Sequence, residues 1–589
     1  MSLFSFSSFT SRIQGILPLG ILAVAKSNRG GVTKCHRQLR RGEAVLLFTL
    51  LSLAPSLACT NFLIGKNASA DGSTMITYNQ DSYGMYGHLV YLPAADHPAG
   101  AVRKIFDGDT NHYYGDIPEV AHTYQVVGYI NEHQLAIMET TFGGRLELAD
   151  TLTGKIDYVS LMHLALQRAK TAREAIKVMT DLVAEYGYAS EGESFSIADP
   201  NEVWVMEMIG KGPGRKGAVW VAQRIPDDAI CCHANQSRIH KFNIKDKQNV
   251  ICSKDVIAFA REKGFFSGKD ADFSFSAAYS PADLSSQRFC DARAWSFFNK
   301  WVDGMDRYLP FVDGLHCQEN PEVMPLWFVP RQKLSLHDVM MSMRDHYEGT
   351  PFDVQKDLGQ GPWEMPYRPT PLTFDGPDGQ KYFNERPIST QQTAMTYIAQ
   401  LRGTMPNAVG GVIWIGNDDP NMCAYTPIYC QTTRIPECYA EGTATDVTFS
   451  WKSAFWVENW VANMVYPRYS VLFPELQKER DAIEDALLKA QSDIETKAVR
   501  LCEEGHHTEA RRLLSGYGVR KAQGMLARWK KLGEKIIVKY NDMAVKKEDA
   551  RGTFQKTPDG LAVPPERPGY PMEYRKKIIE ETGKHYLQK

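Results

Sequence analysis

The sequence lacks the marks of several large function classes. It has no long basic run, and 67 Lys and Arg against 69 Asp and Glu leave a formal net charge of −2, so nothing marks out a nucleic-acid partner. Beyond residue 58 no apolar run reaches the ~18–20 residues needed to cross a bilayer, so stable membrane insertion of that part is not expected. HExxH and paired CxxC motifs are also missing, so no metal site is indicated and no cofactor is called for. What remains, 43% hydrophobic and 23% charged, is an ordinary globular composition. At 589 residues the chain has room for a large core and about two to four domains.

The most informative stretch lies near the start. Arg40-Arg41 introduce an apolar run over 44–58 that closes with small residues at Ser56 and Ala58, the layout of a secretory signal with its cut before Cys59. Residues 1–43 make this an unusually long leader. The mature protein is therefore expected to be secreted or periplasmic. Of the eleven cysteines, Cys35 leaves with the leader and Cys59 is reserved, which leaves nine in an oxidising compartment. Cys423, Cys430 and Cys438, close together in a turn-rich stretch, are the expected bridge formers. Cys231-Cys232 reads as buried strand.

The cut would make Cys59 the first residue of the mature chain, carrying both a thiol and a free α-amino group. The thiol is a strong nucleophile, and an amine with an ordinary pKa of about 7.7–8.0 can take its proton near neutral pH. Two plainer readings compete. A cysteine after a signal can be a lipid-attachment site, giving a lipid-anchored binding protein, but that needs an aliphatic residue where Ser56 stands. An inert buried cysteine is the other.

Short strands are expected at 59–65 and 74–78, with a turn at 67–72, and at 124–130 and 134–140 joined by Asn131-Glu132-His133. Helices follow at 158–169 and 171–186. The second has capping-box spacing in Thr171-Ala172-Arg173-Glu174, apolar positions at Ala175, Met179, Leu182 and Tyr186, and a stop at Gly187. Strands resume at 194–198, 202–208, 218–223 and 229–234. This order predicts an α+β domain with helices packed over largely antiparallel sheets. The stretch 310–440, rich in Pro, Gly and aromatics, reads as long ordered loops. Leu476, Ile483, Leu487, Ala490, Ile494, Ala498 and Leu501 mark one amphipathic helix, and Ala522, Met525, Trp529, Leu532 and Ile536 a second. The expected organisation is a leader over 1–58, a catalytic domain over 59–450, a helical C-terminal subdomain over 451–545 and a loosely held tail over 546–589.

The run 59–73, from Cys59-Thr60-Asn61-Phe62 to Asp71-Gly72-Ser73, resembles the mature start of the N-terminal-nucleophile (Ntn) cysteine dipeptidases, the family of dipeptidase A and the secernins. Supporting blocks follow in order. They are Glu191-Gly192-Glu193-Ser194-Phe195, Asp199-Pro200-Asn201-Glu202-Val203-Trp204, Arg224-Ile225-Pro226-Asp227-Asp228, Ala234-Asn235-Gln236-Ser237-Arg238, Arg344-Asp345-His346-Tyr347-Glu348-Gly349-Thr350 and Val409-Gly410-Gly411-Val412-Ile413-Trp414. The resemblance implies a four-layer αββα Ntn-hydrolase sandwich and cleavage of dipeptides without a cofactor. It also implies kinship with bile-salt hydrolases and penicillin V acylases.

Matched to those relatives, Cys59 is the nucleophile. Asp81 orients its amine, Asn235 donates to the oxyanion, and Arg288 lies near the thiol and favours its ionised form. Arg238 and Arg344 are candidates for gripping substrate termini. Two positions depart from the relatives: Tyr78 or Asn79 stands where they usually have an Arg, and Glu139-Thr140-Thr141 where the acylases have an oxyanion Asn. The competing enzyme reading is an amidase of the bile-salt hydrolase and penicillin acylase type, and a papain-like Cys-His enzyme is a more distant one. A homo-oligomer is compatible with the sequence.

Overall fold

The computed structural model describes residues 59–150, 153–314 and 322–588. The leader and its cut, over 1–58, lie outside the described residues. Two large antiparallel sheets form the centre. The first runs, edge to edge, Trp327–Phe328, Ile230–His233, Asn61–Ile64, Thr74–Asp81, Thr393–Leu401, Gly411–Asn417 and Thr426–Tyr429. The second runs Val250–Cys252, Ala218–Ile225, Val203–Gly210, Gly192–Ala198, Ala136–Gly143, Ile130–Asn131, Val126–Val127 and Tyr91–Leu92. Asn61–Ile64, Gly192–Ala198, Val203–Gly210 and Gly411–Asn417 are buried at every position. Both of their faces are covered, so Gly411–Asn417 and most of Val203–Gly210 read as apolar runs, while Gly192–Ala198 buries Glu193, Ser194 and Ser196 as well.

Strands of the two sheets touch each other: Thr74–Asp81 meets both Ala136–Gly143 and Gly192–Ala198. Helices Tyr158–Arg168 and Ala172–Tyr186 lie against the second sheet, and Ala454–Val465 and His507–Tyr540 against the first. This is the expected α+β arrangement. Asp157 caps the first of these helices by accepting from Ser160 N–H, and Thr171 caps the second by accepting from Glu174 N–H. The Glu174 carboxylate reaches back to Lys170 N–H at 2.8 Å, and Gly187 ends the helix at φ 82°, where a side chain would be strained.

The expected 124–140 hairpin is cut into shorter pieces because the Asn131 side chain competes for the backbone. Its Oδ1 accepts from His133 and Leu135 N–H, at 2.9 and 3.1 Å, and holds a tight turn. Helix Tyr469–Glu503 buries Leu476, Ile483, Leu487 and Ala498 as the pattern predicts. It also buries Arg480, Glu484 and Glu495, which the apolar pattern does not reveal. Helix Met572–Thr582, in the tail, buries no residue.

The expected bridging of Cys423, Cys430 and Cys438 is corrected: all three are free and buried. Each thiol sits in its own niche. Cys423 Sγ faces Pro420 O at 3.9 Å, and Cys430 Sγ faces Asn407 O at 3.1 Å.

Candidate active site

Cys59 lies two residues before the strand Asn61–Ile64, which runs between Ile230–His233 and Thr74–Asp81. Backbone bonds between Thr60 and Asn79, at 3.2 and 3.0 Å, fix its register. The thiol is 2% exposed. Sγ lies 3.8 Å from Tyr78 Oη and 3.9 Å from Glu139 Oε1, and the Tyr78 hydroxyl donates to that same Oε1. Burial, followed by the negative charge of Glu139 and Asp81, pushes the thiol well above its ordinary value, so it rests protonated. A base must take its proton for it to attack.

The two places where the sequence departs from the relatives, Tyr78 or Asn79 and Glu139-Thr140-Thr141, include the side chains in contact with the thiol, Tyr78 and Glu139. Glu139 is paired with Glu193, which lies opposite Thr141 in the neighbouring strand. Burial holds both carboxyls above their ordinary values, and they are hydrogen-bonded to each other, which requires one of them to keep a proton. Thr141 donates to Glu193 Oε1 at 2.9 Å.

On the backbone side of Cys59 stands Arg293, at 0% exposure. Its Nη1 donates to Cys59 O and Thr60 Oγ1, both at 2.7 Å, its Nη2 to Ala234 O and Asn235 Oδ1 at 3.0 and 2.9 Å, and its Nε to Phe289 O at 2.6 Å. Asn235 in turn donates from Nδ2 to Thr141 O at 2.7 Å and holds a left-handed backbone at φ 61°. One guanidinium thus ties the backbone of Cys59 to the amide of Asn235. Next to Asn235 and Cys290 opens a cavity of about 460 Å³, lined also by Phe142, Gly144, Gln236 and Ser280.

Asp81 ends the strand beside Cys59. It accepts from Arg386 Nη2 at 2.7 Å and Thr393 Oγ1 at 2.6 Å, and burial, opposed by Arg386, leaves its carboxyl pushed up to about 6. His233 has both ring nitrogens engaged at 2.7 Å, Nδ1 with Thr140 Oγ1 and Nε2 with Ser196 Oγ. Burial lowers it to about 3, so it is neutral. Among the described residues no imidazole is hydrogen-bonded to Cys59 Sγ; its side-chain neighbours are Tyr78 and Glu139.

Of the residues expected at the site, the structure brings together Cys59, Asp81 and Asn235. Three others are corrected. Arg288 is ion-paired with Asp313 and, at 2.5 Å, with Glu385, and Arg293 is the arginine that reaches Cys59. The wide π-type turn Ser286–Asp291 leads into helix Ala292–Trp301, and Arg293 lies on the first turn of that helix. Residue type alone could not choose between two arginines five positions apart. Arg238 is buried, donating to Cys232 O and Pro325 O at 2.8 and 2.6 Å and facing Asp291 at 3.2 Å. Arg344 is buried on Glu484, at 2.9 and 2.5 Å, and Pro420 O. Both act as internal struts, with their donors committed to the fold. Tyr78, Glu139, Glu193 and Arg293 are the site residues that the reading of motifs missed.

Over residues 58–481 the chain matches the description "Peptidase family C69". It is 27% identical over 401 residues to a probable dipeptidase of Salmonella dublin, covering 65% of this chain and 83% of that protein. It is 27% identical over 431 residues to a probable dipeptidase of Latilactobacillus sakei, covering 70% and 82%. To dipeptidase A of Lactobacillus helveticus it is 26% identical over 463 residues, covering 73% and 85%. Cys59 is the second residue of the matched region, and the Glu139–Glu193 pair, Arg293 and Asn235 all lie inside it. The chain belongs to Peptidase family C69.

Proposed function

We propose that this chain is a secreted or periplasmic cysteine dipeptidase whose nucleophile and base both come from Cys59 once residues 1–58 are removed. The observation that carries the reading is the setting of Cys59: a buried, protonated thiol leading into a central strand, its backbone carbonyl clamped by Arg293. The relatives are named dipeptidases or probable dipeptidases. On this reading the two facing sheets with helices outside them are the four-layer αββα sandwich of the Ntn hydrolases. The catalytic domain runs over 59–450, the helical subdomain over 451–545 and the tail over 546–589.

The freed α-amine of Cys59 takes the thiol proton, directly or through a water, and the thiolate attacks the carbonyl of the peptide bond. Charge builds on the carbonyl oxygen. Asn235, its amide held on one side by Arg293 and on the other by Thr141 O, is positioned to stabilise that oxyanion, a donor worth about 3–4 kcal/mol. The amine then returns its proton to the departing amino group, leaving the first residue of the dipeptide as a thioester on Cys59. Water attacks the thioester, and the amine again serves as base, releasing the amino acid and the free thiol. Asp81, beside the thiol and itself held by Arg386 and Thr393, keeps the ammonium form oriented between steps. The cavity of about 460 Å³ next to Asn235 has the volume of a small-ligand pocket.

The test compares turnover of alanyl-alanine with that of a glycine-conjugated bile salt and penicillin V. Faster turnover of the dipeptide, abolished by Cys59→Ala, is the expected result. Preference for either amide would move the chain to the bile-salt hydrolase and penicillin acylase side.

A further inference from the structure

Resting on the dipeptidase reading, we infer that the Glu139–Glu193 carboxyl pair is the subsite that binds the free α-ammonium of the substrate's first residue. Three observations lead there. Both carboxyls are 1% exposed, and among the described residues neither has an Arg, Lys or His within ion-pair distance. Each Oε1 is held by a hydroxyl, Tyr78 for Glu139 and Thr141 for Glu193. Apart from the other carboxyl, no described residue donates to the Oε2 of either. A buried acid pair without a cation is costly unless a proton or a cation comes to it, and an ammonium brings three donors and one positive charge.

The third observation is position. In a complex ready to react, the attacked carbon sits about 3–3.5 Å from the sulfur. In a dipeptide the α-nitrogen is separated from that carbon by only two bonds of about 1.5 Å each. The ammonium must therefore lie within a few ångströms of Sγ, and Glu139 Oε1 lies 3.9 Å from it. The same contact sets specificity. A substrate with an acylated or missing α-amine leaves the pair without its cation, so the enzyme is confined to free amino termini. Asp81, Arg238 and Arg344 are already committed to protein partners.

The experiment crosses one substitution with one substrate change. Kinetics are measured on alanyl-alanine and on propionyl-alanine, which lacks only the α-amino group, for the full chain and for Glu139→Gln, with thermal unfolding confirming that the variant folds. Wild type is expected to prefer alanyl-alanine by on the order of 100-fold in kcat/KM, and Glu139→Gln, which alters the thiol's surroundings for both substrates, to lose on the order of 100-fold more on alanyl-alanine than on propionyl-alanine, so that the preference disappears. Equal losses on both substrates would overturn the assignment while leaving the dipeptidase reading in place. If Glu139→Gln does not fold, Glu193→Gln carries the same expectation. Wild-type enzyme that cleaves both substrates within about threefold overturns the assignment before any variant is made, and cleavage of neither overturns the dipeptidase reading itself.

Discussion

Replacing Arg293 by Lys keeps the charge and removes the geometry. Five acceptors converge on this guanidinium: Phe289 O, Cys59 O, Thr60 Oγ1, Ala234 O and Asn235 Oδ1, at 2.6 to 3.0 Å. They are reached from three nitrogens in a planar fork. An ammonium has three donors on one atom, so at least two of the five acceptors lose their partner. At about 1–3 kcal/mol for each buried group left unsatisfied, the cost is about 2–6 kcal/mol of folding free energy. The catalytic loss is separate, because the five acceptors include the carbonyl of Cys59 and the amide assigned to the oxyanion, which a single ammonium cannot hold in the same planar fork. A drop of about 100-fold or more in kcat/KM on a dipeptide is expected even at temperatures where the variant is fully folded. Arg288→Lys is the control. Arg288 is ion-paired with Asp313 and Glu385, and Lys can still pair there, so kcat/KM is expected to stay within about threefold. The assay is steady-state kinetics with denaturant unfolding on both variants. Activity that falls further in Arg288→Lys than in Arg293→Lys would refute the assignment of the clamp.

Two further outcomes follow from the buried charges. Asp81 is held near 6 against an ordinary 3.8, so the folded chain binds its proton more tightly than the unfolded one. Its stabilising contribution is full below about 3.8 and is lost as pH rises through about 6. At about 1.36 kcal/mol per pH unit, the stability of wild type relative to Asp81→Asn should fall by about 2 kcal/mol from pH 4 to 7, read from denaturant titrations; a difference that is flat or of opposite sign contradicts the burial argument. Arg344 and Glu484 form a buried pair, so Arg344→Met should cost about 3–5 kcal/mol by leaving Glu484 uncompensated, whereas Arg344→Met with Glu484→Leu should recover most of it. Unaltered stability in the single variant would return Arg344 to the list of residues free to meet substrate.

Much of the fold was legible because its signals are local. Thr171 and Glu174 cap a helix at the expected position, and the faces through Leu476 and Trp529 are buried as their spacing predicts. The short strands around 126–131 were blurred because a single Asn131 side chain reorganises the backbone there, an effect that no periodicity carries. At the site, the residues matched by motif, Cys59, Asp81 and Asn235, lie close together in the fold, but matching failed where identity depends on three-dimensional approach. Arg288 and Arg293 are equivalent on paper, and only the path of the turn before helix Ala292–Trp301 decides which one reaches Cys59. Arg238 and Arg344 looked like substrate grips because charge in a motif suggests a ligand, yet their partners are backbone carbonyls, Asp291 and Glu484. Tyr78 and Glu139 were visible only as mismatches to a related pattern. Those mismatches marked the residues that touch the thiol.

The central claim is that a freed Cys59 supplies both nucleophile and base. The most direct measurement is the amino terminus of the protein expressed with its own leader, by intact mass and terminal sequencing, on a sample whose dipeptide turnover is also assayed. An active enzyme beginning at unmodified Cys59 is the predicted result. An active enzyme beginning elsewhere, or carrying lipid on Cys59, would contradict the account.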